Sequence, residues 1–261
     1  MVRAPHEGES RARCARTSGQ EDSRWLDLTN MPLRSNAEHP FAEVNFLGIV
    51  AKKVDPIYEG HEFGIHVGFL YQLEDNQPRV AHFAWHEIQR DDEPDDSYLW
   101  SEINLDESNR LVVASWLDDR RANPDLIPYG FRTDGSPYVE ETSDFVAPPI
   151  GQGFTCATFI VGVLKHLGFP LLVEDSWPDA REDDILWQEG IVSKLEGWAS
   201  PEHRGALRDD VGTKRFRPEE VGGAACRAPD WPVLFEDASV VAAEIIAELR
   251  NHVPEAEAPG Q

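Results

Sequence analysis

The strongest constraint on the fold is a pair of alternating segments joined by a short turn. Residues 62–73 place Phe63, Val67 and Tyr71 on one side of an extended chain, and residues 79–86 return after a turn at 74–78. Apolar residues that recur with a period of two predict paired strands with one buried face. An apolar stretch at 44–54 predicts a further strand beside them. The sequence therefore predicts an antiparallel sheet.

The other face of this hairpin carries the histidines. His66 stands between Gly64 and Gly68, and glycines in a strand often mark the close approach of a backbone or a ligand. The turn brings His82 opposite or diagonal to His66. Each histidine could instead be a polar residue on a solvated sheet face. His86 shares the face of His82, but a four-residue step along a strand is roughly 13 Å, too far for one metal ion.

Helical patterns follow the hairpin. Residues 106–121 predict one helix, and a second begins abruptly at Thr155–Cys156 and ends at Gly168. Two more are predicted near 180–199, opened by a capping box from Asp179 to Glu182, and at 237–251. Residues 200–234 show no clear period and are predicted to be irregular.

A long loop rich in proline and glycine, 124–153, leads into the second helix. Long loops in compact domains are often lids or binding elements. Tyr129, Phe131 and Tyr138 give this one an aromatic surface, which suits a lid or, equally, a loop pinned to the body. Gly151-Gln152-Gly153 resembles part of a dinucleotide-binding turn, but neither the third glycine nor a preceding strand is present. No cofactor and no metal site is predicted.

Composition bounds the domain organisation and the partners. With 261 residues and 41% hydrophobic residues, the chain can bury a core, which excludes a wholly disordered protein. The sequence predicts a flexible segment at 1–24, a core at 25–170, a helical extension at 171–253 and a disordered tail at 254–261. The 48 acidic against 24 basic residues give a net charge of −24, which disfavours nucleic acid as a partner.

Localisation follows from what the sequence lacks. No apolar run approaches the roughly 20 residues of a membrane-spanning helix, and the arginine-containing N-terminus shows no apolar signal segment. Three cysteines, Cys14, Cys156 and Cys226, are too few for a disulfide framework. We therefore expect a cytoplasmic protein without an integral membrane segment, and we assign no role to Cys14 or Cys226.

Cys156 is the candidate nucleophile. Thr155 is a suitable N-cap, so Cys156 falls in the first helical turn, where the helix dipole favours a thiolate and lowers the thiol pKa. Backbone N–H groups at such an end can also hold an oxyanion. A nucleophilic thiol needs a base and an orienting group, and the hairpin histidines can supply both. The alternative is a small, buried packing residue.

The order of these parts resembles a known family. His66-Val67-Gly68 on one strand, Val80-Ala81-His82-Phe83 on the next and Thr155-Cys156-Ala157-Thr158-Phe159-Ile160 at a helix start are similar to the circularly permuted branch of the NlpC-type papain-like fold, which includes lecithin–retinol acyltransferase-like enzymes. The resemblance covers roughly 45–170. It implies an α+β fold in which a small antiparallel sheet packs on the nucleophile helix. Residues 171–253 have no counterpart in that family, and we expect them to be a C-terminal helical addition.

The same resemblance implies roles. Cys156 would be the nucleophile, His66 the general base and His82 the residue that orients His66. The acyltransferase branch commonly has Asn-Cys-Glu-His-Phe where this chain has Thr-Cys-Ala-Thr-Phe, which leaves hydrolysis and acyl transfer equally open. We expect a cysteine hydrolase or acyltransferase that attacks an amide or ester in a peptide, a peptidoglycan fragment or an acyl compound. The alternative is a non-catalytic acidic binding or immunity-type protein with a basic partner.

Overall fold

The computed structural model describes residues 33–73, 77–132, 137–139, 142–228 and 230–254. The predicted flexible segment 1–24, part of the turn at 74–78 and nearly all of the tail 254–261 lie outside these residues. Within them the chain has an α+β fold, with six α-helices and one six-stranded antiparallel sheet. No helix in these ranges is long and apolar enough to cross a membrane.

The sheet has the order β1-β6-β2-β3-β4-β5. Its strands are β1 (Arg34–Ser35), β2 (Leu47–Val54), β3 (Gly64–Tyr71), β4 (Arg79–Trp85), β5 (Ile88–Asp92) and β6 (Leu99–Glu102). Strands β3 and β4 are the predicted hairpin, and β2 is the strand predicted at 44–54; all three are confirmed. The alternation of apolar residues is sufficient to specify this part of the fold, because one face of each strand is buried.

Strands β3 and β4 separate part of the way along. Strand β2 pairs with β3 over its whole length, from Leu47 opposite Tyr71 to Val54 opposite Gly64. The β3–β4 pairing covers only Phe69–Tyr71 against Arg79–Ala81, and beyond it β4 continues alongside β5. The opening between the two strands begins where His66 and His82 stand.

The helices in chain order are α1 (Glu107–Arg121), α2 (Cys156–His166), α3 (Glu182–Lys194), α4 (Pro201–Asp209), α5 (Pro218–Arg227) and α6 (Phe235–Asn251). Short 3₁₀ turns occupy Phe41–Glu43 and Glu174–Ser176. Helix α2 begins at the predicted residue, because the Thr155 hydroxyl accepts a hydrogen bond from the N–H of Thr158. Helix α3 begins later than predicted, with Arg181 at the N-cap, and the Arg181 N–H donates to the carboxylate of Asp184 rather than Glu182.

The prediction that residues 200–234 are irregular is wrong, since they contain α4 and α5. Helix α5 is buried along its whole length and packs across β2 and β3. Small residues permit this approach: an added Cβ at Gly222 would contact Val67 and Ile49, and one at Gly223 would lie 2.6 Å from a methyl group of Val241. The same small residues weaken the apolar period that sequence reasoning uses to find a helix.

Each face of the sheet has its own core cluster. Val67, Phe69 and Phe83 belong to the larger cluster, which continues through all six helices. Leu70, Val80 and Trp100 belong to a smaller cluster on the opposite face, covered by residues 41–44. Residues from the predicted C-terminal extension, including Val221 and Ile245, lie in the larger cluster together with the nucleophile helix.

The lid interpretation of the loop 124–153 is not supported by burial. Tyr129, Phe131 and Tyr138 are 5%, 6% and 4% exposed, and all belong to the larger core cluster. Tyr129 also forms a parallel β-bridge with Phe154, directly before α2. The aromatic residues therefore pin the loop to the body, which was the alternative reading of the sequence.

Candidate active site

The opening between β3 and β4 is the end of a cavity with a volume of about 690 Å³. Cys156 and His66 both line this cavity, from the N-terminus of α2 and from β3 respectively. Its aromatic wall is formed by Trp85, Tyr129 and Trp187. Charged side chains that line it include Arg215 and Arg217 from the segment before α5 and Glu219 from the first turn of α5. The cavity thus combines apolar walls with a few polar groups, which is the usual character of a small-molecule site.

The Cys156 sulfur lies against β3. The backbone N–H of Val67, the residue after His66, and that of Ala157 in the first turn of α2 both act to lower the pKa of the thiol. Since β3 has no ladder partner at Val67 on the β4 side, this N–H is available to a sulfur atom. The separation of the strands therefore allows the N-terminus of α2 to approach the strand that carries His66.

The expected lowering of the Cys156 pKa is wrong. Burial raises the pKa of this thiol above its usual value, and the N–H groups of Val67 and Ala157 and the charge of Arg215 offset this only in part. The helix N-terminus does stabilise a thiolate, but removing the sulfur from water costs more than the dipole contributes. At neutral pH the resting group is the thiol.

His66 and His82 are joined by a hydrogen bond. His66 Nε2 lies 2.7 Å from His82 Nδ1, and the two rings meet edge to face with their centroids 4.8 Å apart. His82 Nε2 in turn lies 3.1 Å from a carboxylate oxygen of Asp92 on β5. Gly68 makes room for this arrangement, because a Cβ there would lie 2.8 Å from the Cβ of His82. The three side chains form one chain of hydrogen bonds from β3 to β5.

The carboxylate at the end of this chain determines which atom donates and which accepts in each of its hydrogen bonds. An ionised Asp92 only accepts, so His82 Nε2 carries a proton and its neutral ring accepts at Nδ1. His66 must then donate from Nε2. Neutral His66 is left with an unprotonated Nδ1, the atom that can receive a proton from a thiol.

His66 is neutral over the physiological range. Burial lowers its pKa to about 3, and the neighbouring His82 and the Lys52 ammonium, which stands opposite it on β2, act in the same direction. Burial also lowers the pKa of His82, although Asp92 opposes that shift. A neutral imidazole can serve as a general base for a thiol, whereas an imidazolium could not.

His86 lies in a second histidine pair elsewhere. Its ring meets that of His203 on α4, with centroids 5.0 Å apart, and both side chains are buried. His86 Nδ1 accepts a hydrogen bond from the backbone N–H of Tyr129. His203 Nδ1 accepts from Gly151 N–H, and its Nε2 donates to the Tyr129 carbonyl. This pair therefore holds both ends of the loop 124–153.

Sequence reasoning missed several residues of the site. Asp92 belongs to an acidic run that reads as solvated surface, and its carboxylate is indeed 52% exposed. Its position on the strand beside His82 is the one signal that could have identified it, because residues on one face of paired strands lie within reach of each other. Arg215 and Glu219 stand in the segment predicted to be irregular. Trp187 lies on α3, and the sequence pattern of this helix did not indicate that Trp187 lines a cavity.

The cysteines differ in their surroundings. Cys226 on α5 is buried, its thiol donates to the carbonyl of Gly222, and burial raises its pKa to about 11. Cys14 lies outside the described residues. Among the described residues no group of three or more histidine, cysteine, aspartate or glutamate side chains is arranged to hold a metal ion.

Comparisons with known proteins identified no relative of this chain. No protein-family model matches the chain, and neither the curated proteins nor the solved structures gave a match.

Proposed function

We propose that the protein is a cysteine-dependent hydrolase or acyltransferase of the permuted papain-like type, which acts on an amide or ester bond through an acyl-enzyme. One observation carries the proposal. The hydrogen-bond chain from His66 through His82 to Asp92 leaves His66 Nδ1 unprotonated, in a cavity that also contains the Cys156 thiol. A nucleophile, a base and a group that orients the base are the three parts that acyl transfer through a thiol requires.

In the first half of the reaction, the Cys156 sulfur attacks the substrate carbonyl carbon as its proton passes to His66 Nδ1. The carbonyl oxygen becomes an oxyanion, and the N–H of Cys156 at the helix N-terminus is a suitable donor to it. The tetrahedral intermediate then collapses, and its bond to the leaving amine or alcohol breaks. The leaving group takes the proton from His66, so His66 returns to its neutral form.

In the second half, water or an acceptor alcohol or amine attacks the thioester carbonyl. His66 takes a proton from this nucleophile and returns it to the sulfur as the thioester bond breaks. The imidazolium that forms twice in the cycle is stabilised through His82, whose neutral Nδ1 accepts from it and whose far nitrogen donates to Asp92. His82 is thus a positioning residue, and Asp92 holds it in the required tautomer.

The reactants are neutral before the attack. Since burial raises the pKa of Cys156 and lowers that of His66, the pair at rest is thiol and imidazole rather than thiolate and imidazolium. The proton therefore moves during the attack, and the rate of the acylation step depends on how well His66 accepts it.

The decisive experiment is detection of the acyl-enzyme. The protein is incubated with activated p-nitrophenyl esters of short and medium acyl chains, and intact-mass spectrometry together with peptide mapping locates the acyl group. We expect a burst of p-nitrophenol and acylation at Cys156. The variant Cys156→Ala should lose the burst and the acylation. Cys226→Ala, which removes the buried thiol on α5, should keep both.

Acylation spread over Cys14 and Cys226, or turnover that survives in Cys156→Ala, would contradict the proposal. Alkylation of a Cys14→Ser background with iodoacetamide gives a second, independent reading. Because burial raises the pKa of Cys156, its alkylation rate should still be rising at pH 9. A rate that levels off near pH 6 would instead indicate a preformed thiolate.

A further inference from the structure

We infer that Arg215 binds a carboxylate of the substrate, so that the acyl compounds taken by this site carry a negative charge near the bond that is attacked. This inference rests on the proposed function for the position of the bond, but not for the binding of the anion. It begins from an unusual cluster of arginine side chains around one buried carboxylate.

Asp184 is the centre of this cluster. Its side chain is 1% exposed and its two oxygens are approached by three guanidinium groups, with Arg181 Nε at 2.6 Å, Arg217 Nε at 2.8 Å and Arg215 Nη1 at 3.2 Å. Arg181 has a second carboxylate partner, Glu220. Asp184 therefore fixes the positions of the other two arginines, both of which line the cavity.

Arg215 keeps most of its hydrogen-bonding capacity. A guanidinium has five N–H donors, and among the described residues the Arg215 guanidinium donates only from Nη1, to Asp184. Its side chain is only 15% exposed, and its Cζ lies 3.7 Å from the ring centroid of Trp187. Stacking on the indole and bonding to Asp184 hold the group rigidly while its remaining donors are available to the cavity.

The charge balance of the cluster favours a single negative charge. Arg181, Arg215 and Arg217 carry three positive charges, against Asp184 and Glu220 with two. Glu219 also lines the cavity, but burial raises its pKa, so that its carboxyl gains a proton more readily than usual. A carboxylate would balance the charge that these five side chains leave.

Arg215 and the Cys156 thiol belong to one cavity. The charge of Arg215 lowers the pKa of Cys156, and both side chains line the same cavity. Tyr129 and Trp187 form the wall near Arg215, with their ring centroids 6.5 Å apart. A carboxylate on Arg215 would therefore place the rest of an acyl chain along the aromatic wall, with its carbonyl towards Cys156. Because the chain has a net charge of −24, a pocket that attracts an anion differs from the protein as a whole.

The test compares two activated esters that differ only in charge. The p-nitrophenyl monoester of glutaric acid carries a terminal carboxylate, and p-nitrophenyl valerate has the same chain length without it. We expect the wild-type kcat/KM to be about tenfold or more higher for the glutarate ester, mainly through KM, because an arginine–carboxylate pair in a partly buried site contributes at least that much. Arg215→Gln should reduce the ratio of the two kcat/KM values to about one.

Lys165→Gln serves as the matched control, since it removes one positive charge from an exposed ion pair with Glu174. It should keep the preference for the glutarate ester. Arg215→Lys retains the charge without the planar fork and should keep part of the preference, which also covers the case in which Arg215→Gln does not fold. Equal kcat/KM for the two esters in the wild type, or an equal loss for both in Arg215→Gln, would overturn the inference.

A binding measurement separates this inference from the catalytic proposal. Calorimetric titration of the Cys156→Ala variant with glutarate should show binding that Arg215→Gln abolishes, and it requires no turnover. If neither ester is hydrolysed but glutarate binds through Arg215, the catalytic proposal fails and the anion site stands. If both esters are hydrolysed at equal rates and glutarate does not bind, the anion site fails and the catalytic proposal stands.

Discussion

The molecule contains two pairs of histidine rings with almost the same geometry and very different surroundings. His66 and His82 meet with centroids 4.8 Å apart at 78°, and His86 and His203 with centroids 5.0 Å apart at 62°. Both pairs involve β4 or the residue after it. The first pair is bonded to a carboxylate and has a free nitrogen by the cavity, whereas the second is bonded to the backbone of a loop.

The two pairs differ in the groups that bond to their ring nitrogens from outside, rather than in the contact between the two rings. In the first pair, Asp92 sets the tautomers so that His66 Nδ1 is left unprotonated and can accept a proton in a reaction. In the second pair, the Tyr129 N–H, the Gly151 N–H and the Tyr129 carbonyl occupy three of the four ring nitrogens. A histidine pair can therefore serve a reaction or a scaffold, and the groups around it decide which.

The largest expected effect that separates the pairs is on turnover. His66→Ala removes the proposed base, and kcat/KM for an activated ester should fall by about 10²–10⁴-fold. Alkylation of Cys156 at high pH should persist, because hydroxide then removes the proton. Steady-state kinetics and iodoacetamide rates measure the two properties. Unchanged turnover in a folded His66→Ala variant would remove His66 from the mechanism.

A smaller loss is expected when the orientation of His66 is lost. His82→Ala removes the acceptor for His66 Nε2–H, and the turnover should fall by about 10–100-fold. His82→Asn places an acceptor oxygen near the position of Nδ1 and should recover part of that loss. The comparison of kcat for the two variants, at matched thermal stability, is the measurement. Equal losses in both would indicate that His82 contributes packing alone.

The second pair should affect stability instead. His203→Ala leaves the buried Gly151 N–H and the Tyr129 carbonyl without partners, at a cost of about 1–3 kcal/mol in the free energy of unfolding. Below the unfolding transition, kcat should stay within about threefold of the wild type. Urea denaturation followed by kinetics tests this, with His39→Ala as the control, since His39 is exposed. A stable but inactive His203→Ala variant would contradict the assignment.

Mild acid should have the smallest effect. The pKa of His66 is lowered to about 3 from a usual value of 6.5, so the unfolded state binds a proton that the folded state does not. Stability should therefore fall as the pH decreases through 6.5, with His66 contributing about 0.8 kcal/mol by pH 6. The pKa values of His82 and His86 are also lowered, which adds losses of the same sign. Urea midpoints between pH 7.5 and pH 5 measure this, and an increase on acidification would contradict it.

The parts of the site that the sequence predicts are those that depend on local rules. The alternation in 62–86 is enough to define the hairpin and to place His66 and His82 on one face, since a strand has a fixed period of two. Thr155 before an apolar helical period is enough to start α2 at Cys156. Both features involve neighbours in the sequence, and both appear in the structure with the predicted boundaries to within a few residues.

The remaining parts depend on contacts between distant segments. Whether the Cys156 thiol is acidic depends on burial against residues well outside its own helix, which a helix-dipole argument does not include. Helix α5 escapes prediction because its glycines and alanines are selected by the close approach of β2, β3 and Val241 rather than by helical propensity. Arg215 follows Asp184 by 31 positions, and only the folded chain shows that they form one cluster.

The β-bridge between Tyr129 and Phe154 has a consequence for how this chain could be altered. The backbone leaves the body after Tyr129 and returns to the same place before Cys156, and Gly130 and Gly153 meet there backbone to backbone. The two ends of the excursion are thus held together by the body itself. Away from the buried Phe131 and Tyr138, the segment could be lengthened, because the cost of closing a loop grows only slowly with its length. The exposed part of the segment between α1 and the nucleophile helix is therefore a suitable place to insert a domain.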